Sequence, residues 1–85
     1  RVLVDNKASE SYTVLEINGQ DRPGLLYYLT QALTKLGLLV HSARIATYGV
    51  RAVDVFYVQS ALGDKVSSEQ KVKNIQKKLL EVFNA

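Results

Sequence analysis

Apolar and polar positions alternate along this chain with two different periods, and each change of period marks an element. Val2, Leu3 and Val4, within the stretch Arg1 to Asp5, form an apolar run that predicts a short strand, and polar turn-formers occupy Asn6 to Ser11. From Tyr12 to Asn18 the period is two: Thr13, Leu15 and Ile17 share one face, and Val14, Glu16 and Asn18 the other. Two strands this close in sequence pair most simply as an antiparallel hairpin with a longer loop. After Pro23 the period becomes helical. Leu25, Leu29, Ala32, Leu33 and Leu36 fall on one buried stripe, and Gly37 supplies the left-handed residue at which such a helix ends.

The second half begins with a strand from Leu38 to Thr47 whose parity changes midway. Leu38 and Val40 belong to one face, Ala43 and Ile45 to the other, which predicts a bulge near His41-Ser42. Tyr48-Gly49-Val50 is a tight connection into a strand from Arg51 to Val58. There Val53, Val55 and Tyr57 alternate with Ala52, Asp54, Phe56 and Val58. The charge of Asp54 predicts that its face looks away from the helices, which would leave Phe56 and Val58, with Val14, on an uncovered sheet surface. A loop from Ser60 to Val66 contains Gly63-Asp64, and Ser67-x-x-Gln70 fits a capping box. The last helix buries Val72, Ile75, Leu79, Val82 and Phe83 and leaves Lys71, Lys73, Lys77 and Lys78 solvated. The order β-βαββα predicts an α+β domain: one four-stranded antiparallel sheet with two helices on one face.

Composition narrows the chemistry more than it names it. Eighty-five residues, 47% of them hydrophobic, suffice for one domain with a single core. The chain lacks cysteine, which removes disulfides and thiolate-bound metals, and its single histidine cannot make a four-ligand zinc site. No metal or other cofactor is expected. Apolar runs are too short to span a membrane and there is no signal-peptide pattern, so a cytoplasmic setting without a membrane partner is expected. A net charge of +3 does not argue for nucleic acid. General acid–base catalysis would need a second positioned group beside His41, and the sequence offers none, so no enzyme activity is expected of this chain alone. It begins at Arg1 and contains no methionine, which points to residues 1–85 being a domain excised from a larger multidomain protein.

The densest local signal lies between the second strand and the first helix, in Asn18-Gly19-Gln20-Asp21-Arg22-Pro23-Gly24-Leu25-Leu26. Asp21 is positioned as an N-cap acceptor, Pro23 as a first helical residue, and Gly24 as a point of close approach. Such a turn aims backbone N–H groups and the positive end of the helix dipole at one spot, a natural carboxylate site. Read without a ligand, it is an ordinary, well-capped strand–helix turn.

At Asp21-Arg22-Pro23-Gly24-Leu25-Leu26, with Leu29, Leu33 and Gly37, the chain resembles ACT domains. The resemblance is strengthened by Ala43-x-Ile45-x-Thr47-x-Gly49 and by Val53-Asp54-Val55-Phe56-Tyr57-Val58, and it runs from about Thr13 to Phe83. With Val2-Leu3-Val4-Asp5-Asn6 included, the pattern is most similar to the C-terminal ACT domain of bacterial PII uridylyltransferase/uridylyl-removing enzymes. That implies a ferredoxin-like fold and a regulatory module that senses an amino acid, glutamine above all, for a parent uridylyltransferase in nitrogen metabolism. The usual ACT domain ends in a strand after its second helix. Here the N-terminal strand would take that place, beside the Thr13–Ile17 edge.

The resemblance also implies a ligand site. Asn18, Asp21, Arg22, Pro23 and Gly24 would shape it, and the N–H groups of Leu25 and Leu26 would hold a carboxylate. His41 or Ser42, from this chain or from a second ACT domain, would close it. Three functions stay open on sequence alone. The first is an allosteric amino-acid sensor within its parent enzyme. The second is a ligand-free module that only binds another ACT domain or a second copy. The third is an RNA-binding domain of similar topology, disfavoured because Arg51–Phe56 carries an Asp and too few aromatic residues.

Overall fold

Four strands and two helices form in the computed structural model, which describes residues 1–84. They are β1 (Val2–Asp5), β2 (Thr13–Gln20), α1 (Leu25–Lys35), β3 (Leu39–Tyr48), β4 (Arg51–Gln59) and α2 (Glu69–Phe83). The sheet order is β1-β2-β4-β3, antiparallel throughout. β1 lies on the β2 edge as the sequence predicts, with Val2 opposite Ile17 and Asp5 opposite Val14. The parity change in β3 is a bulge: Val40 pairs with Val58, Ser42 with Tyr57, and His41 is the extra residue.

The core sits between one sheet face and the two helices. Leu15 lies opposite Phe56 in the β2–β4 pair, and both are buried with Ile17 and Val58 against Leu25, Leu29 and Leu33 of α1 and Ile75 and Leu79 of α2. This corrects the expectation for β4. Ala52, Asp54, Phe56 and Val58 face the helices, and it is Val53, Val55 and Tyr57 that share the open face with Val14. The reason is parity. A strand turns all its alternate residues together, and burying Phe56 and Val58 is worth about 1.5–3 kcal/mol each. One carboxyl group, which can keep its proton, does not outweigh that.

Helix ends follow local chemistry. Gly37, with φ 76°, closes α1 in a Schellman motif: its N–H donates to Thr34 O (2.9 Å) and that of Leu38 to Leu33 O (3.1 Å). At α2 the cap is Ser68, one residue later than the sequence suggests. Its extended backbone leaves Glu69 as the first helical residue, and its hydroxyl accepts from Lys71 N–H at 3.5 Å. Gln70, freed from a capping box, donates instead to Asn74 at 3.3 Å.

The fully buried Thr13 ties both ends of the domain together. Its hydroxyl donates to Asn6 Oδ1 (2.6 Å) and accepts from the buried Val66 N–H (2.8 Å), while Asn6 Nδ2 donates to Val66 O (2.8 Å). The β1–β2 loop is thereby pinned to the segment leading into α2. Thr13→Val keeps the shape but strands two buried polar groups. It is expected to lower stability by about 1–3 kcal/mol, read as a lower urea midpoint with an unchanged m-value.

Candidate functional site

The strand-to-helix connection is a tight turn rather than a side-chain cap. Leu25 N–H donates to Arg22 O at 3.1 Å, and Gly24 at φ 78°, ψ 1° occupies the left-handed third position. With Pro23 before it, this is the geometry of a type II turn. Gly24, not Asp21, is the N-cap of α1, and no side chain bonds to the first turn. Asp21 is exposed, and its backbone N–H donates to Val50 O at 2.7 Å, extending the β2–β4 ladder by one step. That bond holds Asp21 in the ladder, three residues before the Gly24 N-cap, and so it does not cap.

The turn changes which donors are free. Leu25 N–H, expected to hold a ligand, is already engaged by Arg22 O. The first regular helical bond is Tyr28 N–H to Gly24 O, at 3.0 Å. Among the described residues no protein group accepts from the N–H of Leu26 or Tyr27, both exposed at the positive end of α1. Gly24 keeps this end open. A methyl group there would sit 3.2 Å from the Tyr28 ring and would require an unfavourable φ.

Arg22 turns aside from these donors. Its Nη2 donates to Val82 O at the end of α2, and its guanidinium lies 5.5 Å from the Tyr28 ring centroid. Asn18 is also apart, donating to Glu16 Oε2 (3.0 Å) on the face opposite the helices. Nor do His41 and Ser42 meet the turn. Ser42 lies opposite Tyr57 and, through it, Val14, six residues along β2 from Gln20. At about 3.3 Å per residue that is some 20 Å. The His41 ring stacks on Tyr12 with centroids 4.4 Å apart. Within one chain, the structure therefore brings together Asp21, Pro23, Gly24, Leu25 and Leu26, with only the backbone of Arg22.

Beneath this end of the sheet lies a group the sequence reading placed on the wrong face. Asp54 is 2% exposed, its Oδ1 has no hydrogen-bond partner, and burial raises its pKa above the ordinary value, with the Asp21 carboxylate adding to the shift. The signal was present as a lone acid in an otherwise apolar alternation. Gly19 was also missed: a methyl group there would lie 2.5 Å from Phe83 Cε1, so the glycine lets α2 close over the end of β2.

The family model for the ACR family N-terminal ACT domain matches residues 8–84. This chain belongs to the ACT domains. Among curated relatives, the bifunctional uridylyltransferase/uridylyl-removing enzyme of Azospirillum brasilense is 58% identical over 98% of this ACT domain. The enzymes of the same name from Novosphingobium aromaticivorans and Gluconobacter oxydans are 56% and 50% identical, each over 94% of it. The chain spans 8–9% of the length of these relatives. Among solved structures, an unknown protein from Galdieria sulphuraria superposes with a TM-score of 0.65 over 81% of this chain and 36% of its own, at 23% identity, a likeness of fold. Among the described residues, no helix is long and apolar enough to cross a membrane.

The site yields a prediction with a definite sign. Asp54 holds its proton more tightly in the folded than in the unfolded chain, so folding stability falls as pH rises from the ordinary carboxylate range through the raised value. Asp54→Asn removes that loss. The variant is expected to be more stable than the parent above this range, with the difference closing at acid pH. Urea midpoints measured at stepped pH check it, and parallel curves for the two proteins would refute it.

Proposed function

We propose that this ACT domain is the regulatory amino-acid sensor of a uridylyltransferase/uridylyl-removing enzyme in nitrogen regulation, with glutamine as the favoured ligand. The observation that carries the reading is the open first turn of α1. Two free N–H groups, of Leu26 and Tyr27, stand at the positive helix end behind a glycine that keeps the approach clear. A ligand carboxylate docks there, and Asp21, exposed one residue before the turn, faces its ammonium group. The relatives' shared name supports the parent's identity, and their length supports residues 1–85 being one domain of a larger protein.

One domain leaves this turn unclosed, and β3 supplies the means of closing it. It is one of the sheet's two edge strands, with Leu39, Val40, Ile45 and Tyr48 all exposed. A second ACT domain pairing along β3 would extend the sheet and roof the turn. In a continuous sheet Ser42 would stay on the face opposite the helices, so His41 and Ser42 reach a ligand only through a partner packed on that open face. The exposed apolar edge also favours a second reading, a module that binds another ACT domain and no ligand.

Sensing requires the ligand to prefer one arrangement of the parent over another. The first experiment is an amide NMR titration of the chain with glutamine, with glutamate and serine as controls and light scattering alongside. Saturable shifts at Leu26 and Tyr27 with glutamine alone are expected. Gly24→Ala should weaken binding about tenfold, since it strains a left-handed turn by roughly 1–2 kcal/mol. His41→Ala should leave the isolated chain's response unchanged. Dimerisation without any glutamine response, in this chain and in a tandem-domain protein, would favour the pure interaction module and sink the sensor.

A further inference from the structure

A second concavity lies on the other side of the helix layer from the sheet. It is a groove of about 510 Å³ between α1 and α2, within the roughly 300–1,000 Å³ range of small-molecule sites. Ala32 of α1, Leu36 at its C-cap and Val82 of α2 give it an apolar floor, and Tyr28 stands at one end. Its rim is cationic. Arg22, Lys35 and Lys78 converge on it from the turn, from the last turn of α1 and from α2, against one carboxylate, Glu81.

Three cations against one acid leave two positive charges uncompensated. Lys78 lies 3.8 Å from Glu81, the one ion pair within 4 Å among the described residues, so Arg22 and Lys35 have no carboxylate partner. Arg22 is the more exacting of the two. Its guanidinium is half-buried, held by a single carbonyl and flanked by the Tyr28 ring, and its Nε–H is shielded from solvent with no acceptor. A partly desolvated cation without a counter-ion is an unfavourable arrangement that a bound anion relieves.

We propose that the α1–α2 groove is a binding site for a compact organic dianion, with Arg22, Lys35 and Lys78 taking the charged end and Ala32, Leu36 and Val82 the apolar body. It is separate from the free N–H groups of Leu26 and Tyr27. The two sites nonetheless share one residue: the Arg22 carbonyl closes the turn that opens α1, while its side chain serves the groove.

The test uses phenyl phosphate as the probe dianion, inorganic phosphate as a charge without a body, and benzyl alcohol as a body without a charge. Binding is followed by NMR on the Arg22 Nε–Hε signal and the amides of Ala32, Leu36 and Val82. Saturable shifts at these positions are expected with phenyl phosphate, severalfold tighter than with inorganic phosphate, absent with benzyl alcohol and weakened by salt. Lys35→Gln and Lys78→Gln, at exposed positions that leave the fold intact, should each weaken binding by about two- to fivefold. Absence of saturation at tens of millimolar, equal affinity for inorganic phosphate, or indifference to both lysine substitutions would overturn the proposal. Shifts confined to Leu26 and Tyr27 would overturn it too, while leaving the amino-acid site standing.

Discussion

Everything in this domain hangs on the register between β2 and β4. With Leu15 opposite Phe56 and Thr13 opposite Val58, the two central strands offer the helices one continuous apolar face, and a slip of one residue would turn that face to solvent. The burial of Asp54 is a consequence of the same constraint. Being two residues from Phe56, it cannot leave the core side without taking Phe56 and Val58 with it. The carboxyl accommodates by holding its proton more tightly. The stability of the sheet is thus linked to pH through a residue lying under the helix layer, near the end of the sheet at which α1 begins.

That end of the sheet is where structure and function compete for the same backbone. A helix start is stabilised when its free N–H groups are capped, and a side chain at Asp21 would have done so at a gain of about 1 kcal/mol. Instead the β2–β4 ladder runs on through Asp21 to Val50, and the turn at Pro23-Gly24 satisfies Leu25 alone. Among the described residues, Leu26 and Tyr27 find no acceptor. In the proposed sensor those two donors are what the ligand reads, so the missing cap is the binding determinant.

Much of this was legible in the sequence because it depends on periods. The stripe through Leu25, Leu29 and Leu33, the end at Gly37, the bulge at His41-Ser42 and the placing of β1 beside β2 all follow from spacing and turn chemistry. The failures share a different cause. The polarity of Asp54 points it outward, whereas the strand's parity decides for all its members together. Residue type makes Asp21 a cap, but its backbone bond to Val50, 29 residues along the chain, sets where it lies. Ser67 and Ser68 are equivalent as caps until the loop from Ser60 fixes which one is extended. The direction of the Arg22 side chain and the fit of Gly19 against Phe83 need the position of α2, which no local pattern contains.

The two edges of the sheet are unequal, and the inequality gives the domain a direction. β1 has four residues, and Gln76 of α2 reaches over it to the Val2 carbonyl at 3.5 Å. Short, partly covered strands are poor templates for further pairing. β3 has ten residues and is exposed on both faces for nearly all its length. The bulge at His41 interrupts its regular ladder near the start, and Arg44 puts a charge at its middle, two features that discourage indiscriminate pairing. What remains is the segment from Ile45 to Tyr48, apolar at both ends and level with the open turn of α1. A partner drawn to that segment arrives at the end of the sheet where the free donors are, so assembly and ligand closure would be one event rather than two.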